Sequence, residues 1–150
     1  MKFFFVIAFI IFAQISYSQE KFEQKAFDYF LKNIITTDYP SVVKIKFSGV
    51  AEFSTSGSLF GAECFTKEEN IFLIDNGFRS QKILIKIENN FKNIQKKGNE
   101  KLSMKIYQTL KINNKYIVTI RVSQKENGAF YYFIFDKDYE IKWCKSTFLI

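Results

Sequence analysis

Leu102-Ser-Met-Lys-Ile-Tyr-Gln-Thr-Leu-Lys-Ile112, Tyr116-Ile-Val-Thr-Ile-Arg-Val122, Phe130-Tyr-Tyr-Phe-Ile-Phe135 and Ile141-Lys-Trp-Cys144 follow one another near the C-terminal end of the chain. In the first, Leu102, Met104, Ile106, Leu110 and Ile112 share one face, and Ser103, Lys105, Tyr107, Thr109 and Lys111 the other. In the second, Tyr116, Val118, Ile120 and Val122 oppose Ile117, Thr119 and Arg121. Alternation with period two marks half-buried strands. Four such strands in a row, joined by short turns, read as an antiparallel meander.

The turns set the register, since a slip of one residue turns every side chain over. A two-residue Asn113-Asn114 loop would oppose Ile112 to Lys115, so a three-residue loop pairing Ile112 with Tyr116, Leu110 with Val118 and Ile106 with Val122 is preferred. Asn127-Gly128 carries the strongest short hairpin signal, because a type I′ turn needs positive φ at both central residues. It would pair Val122 with Phe133 and Ile120 with Phe135. An odd-length turn around Lys137-Asp138-Tyr139 then brings Trp143 opposite Phe133 and Ile141 opposite Phe135.

Upstream, Glu20–Ile35 reads as a helix. Phe22, Ala26, Phe27, Phe30, Leu31 and Ile34 form one stripe, with Glu23, Gln24, Lys25, Asp28 and Lys32 on the other side. The stripe is expected to lie on the apolar face of the sheet, and the helix to end at Ile35-Thr36-Thr37 and Pro40. Val42–Phe53 alternates again, with Gly49 marking a bulge or bend. Ser54–Ser58 is loop-like, Thr66-Lys-Glu-Glu69 fits a capping box, and Ile71–Ile74 suits either a short helix or a strand. Asn76-Gly77 is a turn, Lys82–Glu88 a strand with Ile83, Ile85 and Ile87 inward, and Asn89–Lys101 an exposed polar loop or frayed helix. The fold class expected is α+β, an N-terminal helix packed on a curved, mainly antiparallel meander sheet.

Residues 1–18 read as a cleaved signal peptide: a basic start at Lys2, an apolar run Phe3–Ala13, then Ser16-Tyr17-Ser18. The run is shorter than the ~20 residues of a membrane-spanning helix, so no span is expected after cleavage. Residues 19–150 would form one α+β domain, secreted or periplasmic. Loss of Lys2 takes the formal charge from +7 to +6. In that compartment the two cysteines, Cys64 and Cys144, are free to pair as a disulfide or to remain buried thiols.

Chemistry is bounded by what is missing. The chain has no histidine, which removes histidine triads, Cys-His dyads and His-based zinc sites. Neither a phosphate-cradling glycine loop nor a calcium loop is present, and no cofactor or metal is implied. Glu52, Glu63, Asp75, Asp136, Asp138 and Glu140 remain as acid/base candidates without a local motif. These exclusions lean away from an enzyme. Of 22 basic residues only Arg79 and Arg121 are arginine, which argues against nucleic acid, since arginine supplies the bidentate contacts to bases and phosphates. The best site candidate is the second sheet face, where Lys105, Tyr107, Thr109, Arg121, Tyr132 and Lys142 fall together, with Tyr107 opposite Arg121. Cations beside aromatic rings on a rigid sheet suit an anionic or sugar-like ligand, or a protein partner.

A long helix followed by a curved meander over Glu20–Cys144 resembles the cystatin-like and NTF2-like α+β superfamily in element order. The chain lacks the Gln-x-Val-x-Gly loop of cystatin inhibitors and the His-Asp sites of NTF2-like enzymes, so neither activity is implied. The short signal sequence followed by Gln19, with a Lys/Ile/Phe/Asn bias, is similar to small exported proteins of Bacteroidetes-type bacteria. The function expected is an exported non-catalytic binding or interaction module. A carboxylate-dependent hydrolase and an electrostatic binder of anionic polymers are its rivals.

Overall fold

The computed structural model describes residues 22–52, 64–69, 83–87, 98–136, 138 and 140–149. The expected signal segment, the expected loop at Ser54–Ser58 and turn at Asn76-Gly77, Ile71–Ile74, Glu63 and Asp75 lie outside the described residues. Helix α1 (residues 22–38) is followed by eight strands: β1 (Val42–Lys46), β2 (Val50–Glu52), β3 (Ile83–Leu84), β4 (Glu100–Tyr107), β5 (Leu110–Ile112), β6 (Lys115–Gln124), β7 (Asn127–Phe135) and β8 (Ile141–Leu149). All eight belong to one sheet, ordered β3-β2-β4-β6-β7-β8, with β1 also on β4 and β5 also on β6. The fold is α+β, with a mixed but mostly antiparallel sheet. β1 and β2 run parallel to β4; the remaining pairs are antiparallel.

The apolar stripe of α1 packs on the sheet as expected. Phe22, Ala26, Phe27, Phe30 and Ile34 are buried against Leu102, Ile106, Val118, Ile120, Phe133 and Phe135. Ring contacts lock the layers: Phe22 stacks on Tyr116 at 4.6 Å, and Phe30 meets Tyr131 edge-on at 5.1 Å. The helix runs on to Asp38, past its expected end, through a π turn over Phe30–Ile34. One extra residue in that turn shifts the helical phase, so consecutive Ile34 and Ile35 are both buried. Pro40, rather than the β-branched run, ends it.

The meander holds, with corrections to its register. The β7–β8 pairing agrees with expectation: Phe133 opposes Trp143 and Phe135 opposes Ile141. Trp143 is nevertheless 42% exposed, because β8 ends the sheet order and, among the described residues, has a paired strand on one side only. The β6–β7 turn lies at Lys125-Glu126, not at Asn127-Gly128; Gln124 pairs with Asn127, and Val118 with Phe133. The earlier turn lets all nine residues of β7 pair with β6, whereas a turn at Asn127-Gly128 would leave Tyr116 and Val118 without β7 partners. The slip is four residues, an even number, so each side chain keeps its face.

The β5–β6 connection is the two-residue Asn113-Asn114 loop after all, with Ile112 opposite Lys115. Its apolar–polar mismatch is resolved upstream. The ladder breaks at Gln108-Thr109, so β4 pairs with β6 as Met104↔Val122 and Ile106↔Ile120, while β5 resumes as Leu110↔Ile117. Leu110 and Ile112 thereby turn away from the helix and join Tyr107, Ile117, Phe130 and Tyr132 in a second apolar cluster. Glu23 fixes this break. Expected on the polar side of α1, it is fully buried and accepts hydrogen bonds from the Thr109 backbone N–H (2.6 Å) and hydroxyl (2.5 Å).

Gly49 makes the expected bend between β1 and β2 with φ +76°, and its carbonyl accepts from the Ile85 N–H at 2.8 Å. Of the expected strand over Lys82–Glu88, residues 83–87 are described: Ile83–Leu84 form β3, Ile85 is buried and Ile87 exposed. Glu100 and Lys101, expected in a loop, begin β4. The capping box is present, Thr66 N–H donating to Glu69 at 3.0 Å and Glu69 N–H to the Thr66 hydroxyl at 3.2 Å.

Candidate functional site

The second sheet face carries Lys105, Tyr107, Arg121, Tyr132 and Lys142, but not as one open patch. Lys105, rather than Tyr107, stands opposite Arg121. The two like charges are relieved separately: Lys105 bonds Glu52 at 2.9 Å, while the Arg121 guanidinium lies over the Phe148 ring at 5.0 Å and the Phe130 ring at 5.8 Å. The hydrogen bond to Glu52 raises the Lys105 pKa. Tyr107 and Tyr132 are buried, and Phe65 meets Tyr132 edge-on at 5.1 Å. Burial, then the neighbouring Tyr107, pushes the Tyr132 phenol far above its usual range. Lys142 is exposed on β8, and Thr109 sits at the ladder break, held by Glu23.

Cys64 and Cys144 are joined by a disulfide with Cα atoms 5.8 Å apart. The bond pins residues 64–69 over this face, aided by a Lys115–Glu69 ion pair at 3.1 Å. The middle of the expected ligand surface is therefore a covered apolar layer. Lys105, Arg121 and Lys142 remain around it.

A different concavity lies at the β6–β7 turn end of the sheet. A groove of about 420 Å³ is lined by Tyr39 from the end of α1, Gln124, Asn127 and Gly128 at the hairpin, and Lys145 and Thr147 on β8. Two of its lining residues, Tyr39 and Lys145, are held by contacts between chain segments distant in sequence. The Tyr131 hydroxyl donates to Asp38 at 2.7 Å and lies 3.1 Å from the Tyr39 hydroxyl. Lys145 bonds the same Asp38 oxygen at 2.7 Å and lies 5.4 Å over the Tyr131 ring. Burial works against the Asp38 charge, but the hydrogen bonds from Lys145 and Tyr131 and the Lys145 charge outweigh it, holding the carboxyl below its usual range. Burial and the bond to Asp38 raise Tyr131 well above the ordinary phenol range, and burial also raises Tyr39.

Nearby, Glu100 accepts from the Ser41 hydroxyl and the Gln124 amide, and those bonds lower its pKa. Chemically, alongside the apolar Val122, Ala129, Phe148 and Leu149, the groove presents one cation, amides, hydroxyls and a tyrosine ring. Such groups bind and orient polar ligands. The carboxylates nearest it are ionised and already hydrogen-bonded, a poor starting point for proton transfer.

None of the groove residues was a sequence candidate. One signal was readable: Tyr131 stands on the helix-facing side with Phe133 and Phe135, and a buried tyrosine needs a partner for its hydroxyl. The partner itself, Asp38, is 93 positions away, and no local pattern connects them. Among the described residues no cluster of three or more potential metal ligands occurs, and no helix is long and apolar enough to cross a membrane. Comparison of the chain with known protein families, curated proteins and solved structures gave no match.

Proposed function

We propose that the protein is an exported, non-catalytic binding module that takes its ligand in the groove between Tyr39, the β6–β7 hairpin and β8. The observation that carries the reading is the composition of that groove: Lys145, Gln124, Asn127 and Thr147 beside the Tyr39 ring. The disulfide supports export, since such bonds persist in oxidising compartments. Against the hydrolase stand the engaged carboxylates: Asp38 with Lys145, Glu52 with Lys105, and Asp136 capping its own turn through the Asp138 and Glu140 N–H groups.

Ligand-dependent thermal stability tests this. The protein is heated alone and with acidic oligosaccharides, neutral oligosaccharides and extended peptides. A ligand at 100 times its Kd adds about 2.7 kcal/mol, a shift of several degrees for a domain of this size. The shift is expected to vanish in Thr147→Arg, which fills the groove from an exposed position. A ligand that stabilises wild type and Thr147→Arg equally would show that the groove is not the site.

A further inference from the structure

Resting on the groove as the binding site, we infer that its ligand is an extended, acidic stretch of polypeptide that adds a strand to the free edge of β8. The free edge follows from the register. Gln124 and Asn127 close a two-residue turn, and the closing pair of such a hairpin exchanges both backbone hydrogen bonds. Strict alternation then points Gly128, Phe130, Tyr132 and Ile134 of β7 at β8, where they meet Phe148, Ser146, Cys144 and Lys142. The N–H and C=O groups of Ile141, Trp143, Lys145, Thr147 and Leu149 point the other way. Among the described residues no strand pairs with that side of β8, and an open row of this kind is a template for a further strand.

Three observations select the occupant. First, the outward-pointing residues Lys145, Thr147 and Leu149 also line the groove, so a strand laid on β8 places alternate side chains beside it. Second, two apolar members of the row are exposed, Trp143 at 42% and Leu149 at 83%, giving an added strand cross-strand partners. Third, β8 itself carries two lysines, Lys142 and Lys145, and no acidic residue. Lys145 has three donors, so its bond to Asp38 leaves room for an incoming carboxylate. A second copy is disfavoured, because the antiparallel register of greatest overlap sets Lys145 against itself, and like charges directly opposite destabilise a ladder.

The probe is a ten-residue, end-blocked peptide alternating glutamate with valine, added to the full disulfide-bonded protein labelled with ¹⁵N. Amide exchange at Trp143, Lys145 and Thr147 is expected to slow at least tenfold, and emission of Trp143, the only tryptophan, to move to the blue. Peptide with alternate residues N-methylated along its pairing edge is expected to bind at least tenfold more weakly, and the lysine–valine counterpart likewise. Thr147→Pro deletes one outward N–H while sparing the bonds to β7, and is expected to lose binding with its remaining spectrum unchanged. Equal binding by the N-methylated or lysine peptide would overturn the inference. So would shifts at Gln124 and Asn127 without slowed exchange on β8, a result that leaves the groove reading standing. A peptide with no effect anywhere overturns strand addition, and the oligosaccharide arms of the thermal screen then decide the groove reading separately.

Discussion

Glu23 and Thr109 are separated by 86 positions in the chain, and one carboxylate oxygen of Glu23 receives both the N–H and the hydroxyl of Thr109. The contact ties the first turns of α1 to the point where the β4–β5 ladder changes face. A hydrogen bond contributes about 0.5–1.5 kcal/mol net, and a donor left buried without its partner costs about 1–3 kcal/mol. Glu23→Ala is therefore expected to lower unfolding free energy by about 3 kcal/mol, and Thr109→Val, which keeps the backbone bond, by about half as much. Urea denaturation of the three proteins measures both. Equal stability of wild type and Glu23→Ala would show that the ladder break is held by other contacts.

The Cys64–Cys144 bond closes a loop of 80 residues, for which chain-entropy estimates give about 4 kcal/mol of stabilisation. Reduction should lower the urea midpoint accordingly and uncover the apolar face around Tyr132. Both thiols should resist alkylation until reduced. Intact mass of the exported protein tests the compartment in the same experiment, with a chain beginning at Gln19 expected. A mass retaining Met1, with both cysteines freely alkylated, would overturn export.

Two opposite pH limits follow from the hydrogen-bonded carboxylates and the buried Tyr131. Asp38, Glu69 and Glu100 have lowered pKa values, so the unfolded chain binds protons more readily than the native one as pH falls. Their stabilisation is complete above the ordinary carboxylate range near pH 4 and is lost as pH drops through their folded values. Tyr131 is raised, so its contribution is complete below pH ~10, the ordinary phenol value, and declines as the unfolded chain ionises above it. Thermal melts between pH 2 and 11 should show both flanks, and Tyr131→Phe should flatten the alkaline one. An unchanged alkaline flank in that variant would contradict the assignment.

A Cβ at Gly128 would sit 2.2 Å from a ring atom of Phe148, much closer than any normal contact. Gly128→Ala must displace the ring, and overpacking of this kind costs about 1–3 kcal/mol. Because Phe148 also lies over Arg121, Phe148 and Arg121 signals should move together in NMR spectra. A neutral substitution with unmoved Phe148 would show that the ring is not seated as described.

The parts of this fold that alternation could reach were legible before the structure. The helix stripe, the face of each residue in β6 and β7, and the Phe133–Trp143 register rest on local periodicity and short turns. Errors arose where distant groups outweighed local propensity. Asn127-Gly128 has the better turn sequence, yet a hairpin closed at Lys125-Glu126 pairs more of β6 with β7. Leu110 and Ile112 continue the pattern of β4 by count, but a carboxylate on α1 fixes a break that sends them to the other face. The groove was invisible for the same reason: Asp38, Tyr131 and Lys145 share no motif and meet only because the end of α1 lies against the β7–β8 pair. Of the expected site, Lys105, Arg121 and Lys142 stay near the surface, while Tyr107 and Tyr132 became core once Phe65 was drawn over them by the disulfide.

The most direct test of the groove as a binding surface is amide chemical-shift mapping of the ¹⁵N-labelled protein at 0.2 M salt, with an acidic hexuronate oligosaccharide and with the glutamate–valine peptide. Shifts concentrated at Tyr39, Gln124, Asn127, Gly128, Lys145 and Thr147 for one of them, saturating with a single Kd, are expected. Shifts scattered over lysines on both sheet faces and lost at that salt concentration are the mark of nonspecific charge binding, and would contradict it.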